Sequence, residues 1–527
     1  SRAGTALHLR AAELLHHDGA PAEAVADRLV AADRAAATWA VAVLREAAGQ
    51  ALAEGRAPDA VDRLRLALRE CTADRRPLVR FELARAEWQI DPATAGRYLS
   101  DLARDARAGR LPADAVVTLV TWMLWLGRAE EVTDVMVEAS RATGAVAAEP
   151  GGVAERLRVP ESWVRYAYPG LAGGTTPAGP AGTDPAPDAL SDSTPGAVSG
   201  PASGAVSGSA WSGRDGDDGR GGLTGSWPGP GADAGWGTRE RIVAAVEETL
   251  RHAGLGFGHL TRIAVIVALI HAGEPDEAER WCDALDREEG RRPPLADALV
   301  LVLRALIHHR RGEPDAARRC ASGAFDLLPA RGFGIFVGVP LAIMVEALTV
   351  TGRLTEAGAL LRRPLPEALF GSPLVLPYLR ARGRYQLASG RPRSALTEFL
   401  ACRDLMASWG VDLPCVAPWR TDLAEAHLAL GDPDTAHRLA VEQLALLSPG
   451  ETGGRGATLR VLALALPHDR RLWPLAEAVE LLERSPDRVE LARALADLAD
   501  HHRTAGRRAS AAALARRARA LADECGV

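Results

Sequence analysis

The chain has 527 residues, 47% of them hydrophobic, and a formal net charge of −6; that length calls for several modules or one extended solenoid. Aromatics make up only 5%, and Ala and Leu supply most of the apolar content, which suits thin helix-on-helix packing better than a thick sheet sandwich. The charge balance excludes a strong global pull toward nucleic acid or an anionic membrane, and because all 62 basic residues are Arg, no phosphate loop ending in Gly-Lys-Ser/Thr and no Lys Schiff base can form.

One pattern organises the chain from its first residues. A helix-forming stretch ends in Gly, a few polar or Pro residues follow, and a small residue stands five positions after the Gly. Residues 1–33 carry one such turn, Gly19/Ala24. Residues 34–168 carry Gly55/Ala60 and Gly127/Val132, with Asp91-Pro92-Ala93-Thr94-Ala95 midway between them but lacking its Gly. From about Gly170 to Gly237 the pattern stops. That stretch is Gly, Pro, Ala, Ser, Thr and Asp with almost no aliphatic periodicity, so a disordered low-complexity insert or linker is expected over 169–237. Its Trp211, Trp227 and Trp236 either dock on a groove or are incidental to the insert.

Residues 238–527 resume the pattern at Gly273/Ala278, Gly312/Ala317, Gly352/Ala357, Gly390/Ala395, Gly431/Ala436 and Gly506/Ala511, with a degenerate member near Pro467–Ala476. Neighbouring glycines lie 36 (19 to 55), 39 (273 to 312), 40 (312 to 352), 38 (352 to 390) and 41 (390 to 431) residues apart. A period in the upper thirties is that of a two-helix solenoid repeat. Gly closes a helix in the left-handed conformation without a Cβ clash. Pro at 21, 58, 275, 314, 392 and 433 suits the first turn of the next helix, where its missing N–H is harmless. Acidic neighbours such as Glu274, Asp276, Glu313 and Asp315 meet the positive end of the new helix. The small residue lets the two helices of a hairpin approach, and stacked hairpins then share a core. The expected fold is all-α: an α-solenoid of tetratricopeptide-like (TPR-like) hairpins interrupted by one insert.

No residues announce chemistry. His16-His17, His308-His309 and His501-His502 each precede a terminal Gly, where the negative helix end favours them, and no His/Cys cluster has zinc spacing. Six Cys (71, 282, 320, 402, 415 and 525) without a C-x-x-C pair read as buried free thiols in a reducing, cytoplasmic setting. Apolar runs such as Ile263 to Ile270 are far short of a membrane span, and the start has no signal-peptide pattern and looks like a fragment boundary. The chain is therefore expected to be no enzyme, with no metal and no cofactor of its own. Arg503, Arg507, Arg508, Arg516, Arg517 and Arg519 form a basic stretch best read as a solvated helix face. In Leu413-Pro-Cys-Val-Ala-Pro-Trp-Arg420, Pro418 starts a helix with Trp419 and Arg420 in its first turn; Tyr378, Arg382 and Tyr385 stand at comparable positions one hairpin earlier. Aromatic and Arg side chains on first helices suit a concave ligand- or partner-binding face, so these five are the candidate site; the alternative is that Trp419 and Tyr385 belong to the core between repeats.

Several segments resemble a known family. Leu7-His-Leu-Arg-Ala-Ala-Glu-Leu-Leu15 with Gly19-Ala-Pro-Ala-Glu-Ala-Val25 is similar to the segment following the nucleotide-binding region in large ATP-binding regulators of the LuxR family. Trp39-Ala-Val-Ala-Val-Leu-Arg-Glu-Ala-Ala48 and Ala57–Leu68 continue the likeness, although Arg28 stands where the family often has His. Arg382-Gly-Arg384, Leu387–Arg391, Ala417-Pro-Trp-Arg420 and Ser485–Leu495 resemble that family's C-terminal TPR-like arm. The resemblance implies a parent protein in which ATP is bound by an ATPase module before residue 1 and DNA by a helix-turn-helix domain beyond Val527. It implies that 1–33 is the helical remnant after that module. The arm would receive a small-molecule inducer or a regulatory protein, or pair with a second copy, and relatives often control secondary-metabolite clusters. A free-standing TPR-like scaffold binding a peptide or partner protein is the rival expectation.

Overall fold

A computed structural model describes residues 2–35, 37–142, 258–287, 292–410, 412, 414 and 416–527. Among them the secondary structure is helical, without strands. The N-terminal helices are α1 (Arg2–His17), α2 (Ala22–Ala32), α3 (Ala40–Ala53), α4 (Ala57–Glu70), α5 (Arg76–Ile90), α6 (Pro92–Ala95), α7 (Leu99–Arg107), α8 (Ala113–Trp125) and α9 (Ala129–Ala142). After the break come α10 (Gly258–His271), α11 (Pro275–Asp286), α12 (Pro294–Arg310), α13 (Pro314–Leu327), α14 (Gly338–Val350), α15 (Leu354–Leu361), α16 (Val375–Ala388) and α17 (Pro392–Ser408). The last are α18 (Trp419–Ala429), α19 (Pro433–Leu446), α20 (Thr452–Ala465), α21 (Leu472–Glu483), α22 (Arg488–Thr504) and α23 (Arg508–Cys525). The low-complexity segment expected over 169–237, with its three Trp, lies outside the described residues, as do Leu413 and Cys415.

Consecutive helices pair into hairpins, and each hairpin packs on the next. The nine glycines of the sequence pattern all take positive φ, between 68° at Gly312 and 84° at Gly273. After each, the next residue's N–H reaches back five residues, as Arg353 does to Leu348 O at 2.8 Å and Arg507 to His502 O at 2.9 Å. This closes the last helical turn on its own orphan carbonyls. Five residues on, Ala60, Ala278, Ala317, Ala357, Ala395 and Ala436 are fully buried, because a larger side chain there would hold the hairpin open. Ala24 is only half-buried.

The two degenerate turns use other chemistry. Between α5 and α6, the Asp91 side chain accepts the Ala93 N–H at 3.0 Å and so caps α6 in place of a glycine. Between α20 and α21, Arg471 donates to Leu466 O at 2.8 Å and Leu464 O at 3.1 Å, satisfying the last carbonyls of α20. The buried small residue there is Ala478, while Ala476 is exposed, so the repeat slips by two positions.

The hairpins on either side of the break share one core. Leu299 of α12 and Ile335 join Trp88, Trp122, Met123 and Trp125 in a single buried cluster. Trp125 donates its indole N–H to Gly332 O at 2.9 Å and stacks on Phe336 at 4.2 Å. Gly334, at φ 53°, lets the 3₁₀ segment Ala330–Val337 turn against the Trp125 carbonyl, where no Cβ would fit. That segment and α14 form an apolar stretch, 330–350, longer than the runs the sequence singled out; 72% of its most apolar window is buried inside the protein, so its role is core. Cys71, Cys282, Cys402 and Cys525 are free buried thiols, and burial pushes those of Cys282 and Cys402 up to about 12; Cys320 is half-buried.

From α12 onward the spiral comes back on itself. The Arg488 N–H at the start of α22 points to Arg311 O at 3.4 Å, and a Cβ on Gly312 would lie 2.7 Å from the Val489 nitrogen. The sixth hairpin of this arc therefore touches the turn of the first.

Candidate functional site: the charged inner face

First helices of successive hairpins (α12, α14, α16, α18, α20 and α22) line the inside of this arc. Each buries aliphatic residues against its neighbours and leaves a narrow polar stripe. On α16 the stripe is Arg380 and Arg384, four residues apart and therefore on one face. On α18 it is Asp422 and Glu425, and on α22 it is Glu490, Arg493 and Asp497. Glu346 of α14, His309 of α12 and Arg460 of α20 complete the set.

These groups pair mainly across helices. His309 Nε2 lies 3.0 Å from Glu346. Arg380 donates through Nε to Asp422 at 2.6 Å, and Arg384 Nη1 lies 3.7 Å from the same carboxylate. Arg460 sits between three acids: Glu425, Glu490 at 3.3 Å and Asp497 at 3.2 Å. Arg493 adds a 2.6 Å bond to Glu490. Arg384 also reaches Glu490 at 3.4 Å, three hairpins and 106 residues further along the chain. Only the inside of a spiral brings first helices so distant together.

Low exposure sharpens the electrostatics. Asp422 is 3% exposed at its side chain and Arg460 9%. Burial works to raise the Glu490 carboxyl, but Arg493, Arg460 and Arg384 outweigh it and hold the group below the usual carboxylate range. Glu346 is held low in the same way by His309, Arg380 and Arg384 against its burial. For Asp422 burial prevails and raises the carboxyl, with Arg380 and Arg384 opposing. Counting Arg380, Arg384, Arg460 and Arg493 against Glu346, Asp422, Glu425, Glu490 and Asp497, the face is close to neutral. A dense, dry, charge-balanced surface of this kind can bind or release a polar ligand only by exchanging its internal partners.

The residues singled out in the sequence lie elsewhere on the same helices. Tyr378 is 2% exposed and packs in the main core, with Arg382 over its ring at 5.6 Å. Arg382 pairs with Glu398 of α17 at 2.6 Å. The Tyr385 hydroxyl closes on Gly358 of α15, and Arg391 lies over its ring at 5.6 Å. Trp419 is 8% exposed in that core, and Arg420 stacks on it at 4.0 Å while pairing with Asp412 at 2.6 Å. The structure thus brings Tyr378 and Arg382 together, beside Glu398 of the same hairpin, and Trp419 and Arg420 together beside Asp412. The inner stripe uses the positions between them. A signal for it stood in the sequence, in Arg380-x-x-x-Arg384, Asp422-x-x-Glu425 and Glu490-x-x-Arg493, all first-helix positions.

The chain is a TPR-like α-solenoid. Comparison with protein-family models gives no match, and comparison with curated proteins gives none. Among solved structures it is similar to a Rap protein complexed with Competence and Sporulation Factor (12% identity, covering 79% of this chain and 99% of that one, TM-score 0.45). It is also similar to the Cut9–Hcn1 hetero-tetramer of APC/C (13%, 99% and 87%, 0.42). A third similarity is to BtubC (BKLC) from P. vanneervenii (16%, 41% and 91%, 0.28). With TM-scores below 0.5 these likenesses carry no function to this chain.

Proposed function

We propose that this chain is the sensor and protein-interaction arm of an ATP-dependent transcription regulator of the LuxR family, and that the inner face of residues 294–527 receives an inducer or a partner protein. The arm itself does no chemistry and holds no cofactor; ATP and DNA are bound by other modules of the parent protein, in a cytoplasmic setting. The observation that carries the reading is the ordered run of family-like segments, from Leu7–Leu15 through Trp39–Ala48 and Ala417-Pro-Trp-Arg420 to Ser485–Leu495. A ligand that favours one curvature of the spiral would shift the parent between closed and assembly-competent states.

The test is the DNA that flanks the coding segment in its genome. The reading expects a phosphate-loop motif encoded upstream and a helix-turn-helix downstream, in one reading frame. If neither is encoded, the regulator assignment fails. The remaining reading is then a free-standing scaffold whose inner face holds a peptide or partner protein, which the helical-repeat fold supports on its own.

A further inference from the structure

We infer that the arc from α12 to α23 is latched shut at one seam, where the turn after α12 meets the start of α22, and that a ligand gains the inner face by opening that seam. This rests on the inner face being the binding surface.

The seam differs from every other junction in the arc. Adjacent hairpins are joined by apolar packing: one buried cluster runs from Ala298 of α12 to Val461 of α20, and a second from Ala463 of α20 to Ala518 of α23. Among the described residues, no buried apolar cluster spans from α12 or α13 to α22 or α23. What crosses the gap is sparse: the Arg488 N–H meets Arg311 O at 3.4 Å, a long bond, and the Val489 side chain lies against Gly312. One long hydrogen bond and one side-chain contact hold weakly and exchange readily with water. The close approach also depends on a missing side chain, since a Cβ on Gly312 would lie 2.7 Å from the Val489 nitrogen and 2.9 Å from that of Arg488. An apolar spine with one sparsely packed seam is the construction expected of a ring that opens at a fixed place.

Gly312→Ala tests this against two controls. Gly312, Gly352 and Gly390 occupy the same turn at φ 68°, 73° and 71°, so Ala strains the backbone alike at all three. Around Gly352 and Gly390, however, a Cβ meets nothing within 4 Å. Ligand-free protein is measured by hydrogen exchange of the peptide covering residues 485–491, by small-angle scattering and by circular dichroism. The expected result is exchange faster by roughly tenfold or more, with a larger radius of gyration, in Gly312→Ala alone at unchanged helix content. Equal behaviour of the three variants overturns the latch. Should Gly312→Ala lose helix content, Val489→Ala is decisive, because that side chain faces Gly312 across the seam: faster exchange of the peptide covering residues 309–316, on the opposite side, supports the latch, and wild-type exchange there refutes it. Because no ligand is present, a failed latch is distinguishable from a failed binding assignment.

Discussion

Arg460→Met is the sharpest perturbation of the inner face. Met keeps most of the aliphatic stem and removes the guanidinium that links Glu425 of α18 with Glu490 and Asp497 of α22. Arg460 is 9% exposed, so three carboxylates lose a cation that water cannot replace without rearrangement. Breaking a buried pair by deleting one partner is typically destabilising by about 3–5 kcal/mol. Glu490 retains Arg493 and Arg384, and Asp497, 28% exposed, regains some hydration, so the expected loss lies near the lower end, about 3 kcal/mol. At roughly 2–4 °C per kcal/mol for a unit of this size, the melting temperature of the C-terminal arc falls by about 6–12 °C. Calorimetry measures the shift, and hydrogen exchange localises it, since repeat arrays need not unfold in one step. Adding Glu490→Gln to Arg460→Met should recover part of the loss, with a coupling of about 0.5–3 kcal/mol. A fall below about 2 °C, or strictly additive effects, would mean that these charges are solvated separately and that the dry network does not exist.

Further outcomes follow from particular contacts. Gly383→Ala drives a Cβ into the Phe399 ring between α16 and α17 and should destabilise by about 1–3 kcal/mol, whereas Gly49→Ala, in open space on α3, should stabilise by about 0.5–1 kcal/mol; paired thermal melts check the opposite signs. His501 is 5% exposed, stacked on His468 at 4.5 Å, and its folded-state pKa is lowered by burial, then by His468, Arg507, His502 and Arg471. The unfolded chain then binds the proton more readily, so this contribution to stability is present above about pH 6.5 and is lost as pH falls below it. Melts at pH 7.5 and 5.5 should show a smaller acid loss in His501→Phe than in wild type, and equal losses refute the assignment. Thermal-shift responses to a metabolite panel should vanish in Arg384→Gln and persist in Trp419→Ala; the reverse pattern would return the site to the Trp419–Arg420 pair.

The turns were legible in the sequence because helix termination is local. A glycine that must take positive φ, a Pro at the first helical turn and a buried Ala five residues on each announce themselves within ten residues, and every one of the nine Gly turns appears where the spacing put it. The two turns without glycine show why even local signals blur: Asp91 and Arg471 perform the same capping with side chains that are ordinary elsewhere. Of the inner face only the spacing of charges along single helices was legible, and the pairing between helices was not, for a different reason. Arg384 and Glu490 are unremarkable helix-surface residues until the curvature of the spiral brings them together over 106 positions. Tyr378 and Trp419 stand out as aromatic residues on first helices, and both are buried in the main core with Arg382 and Arg420 over their rings.

Why this face is ionic rather than apolar is itself open to experiment. Replacing Arg384, Glu425, Arg460 and Glu490 together by Met or Leu removes two charges of each sign, leaving net charge unchanged. The single Arg460→Met change strands carboxylates, but the fourfold change also deletes two of the acids that Arg460 serves and replaces desolvated charge with apolar contact. Buried ion networks exchanged in this way for well-packed hydrophobic residues commonly come out neutral or more stable by about 1–4 kcal/mol. The arc should therefore melt at or above the wild-type temperature, in contrast to the single variant. Its seam should become harder to open, because an apolar lining would join α16, α18, α20 and α22 into one continuous core, and exchange at residues 485–491 should slow. A stabilised arc that no longer responds to ligand would mean that the charges are kept for the opening they permit. A fourfold variant less stable than Arg460→Met would mean instead that the network is the main support of the arc, and the latch would then have no cheap way to release.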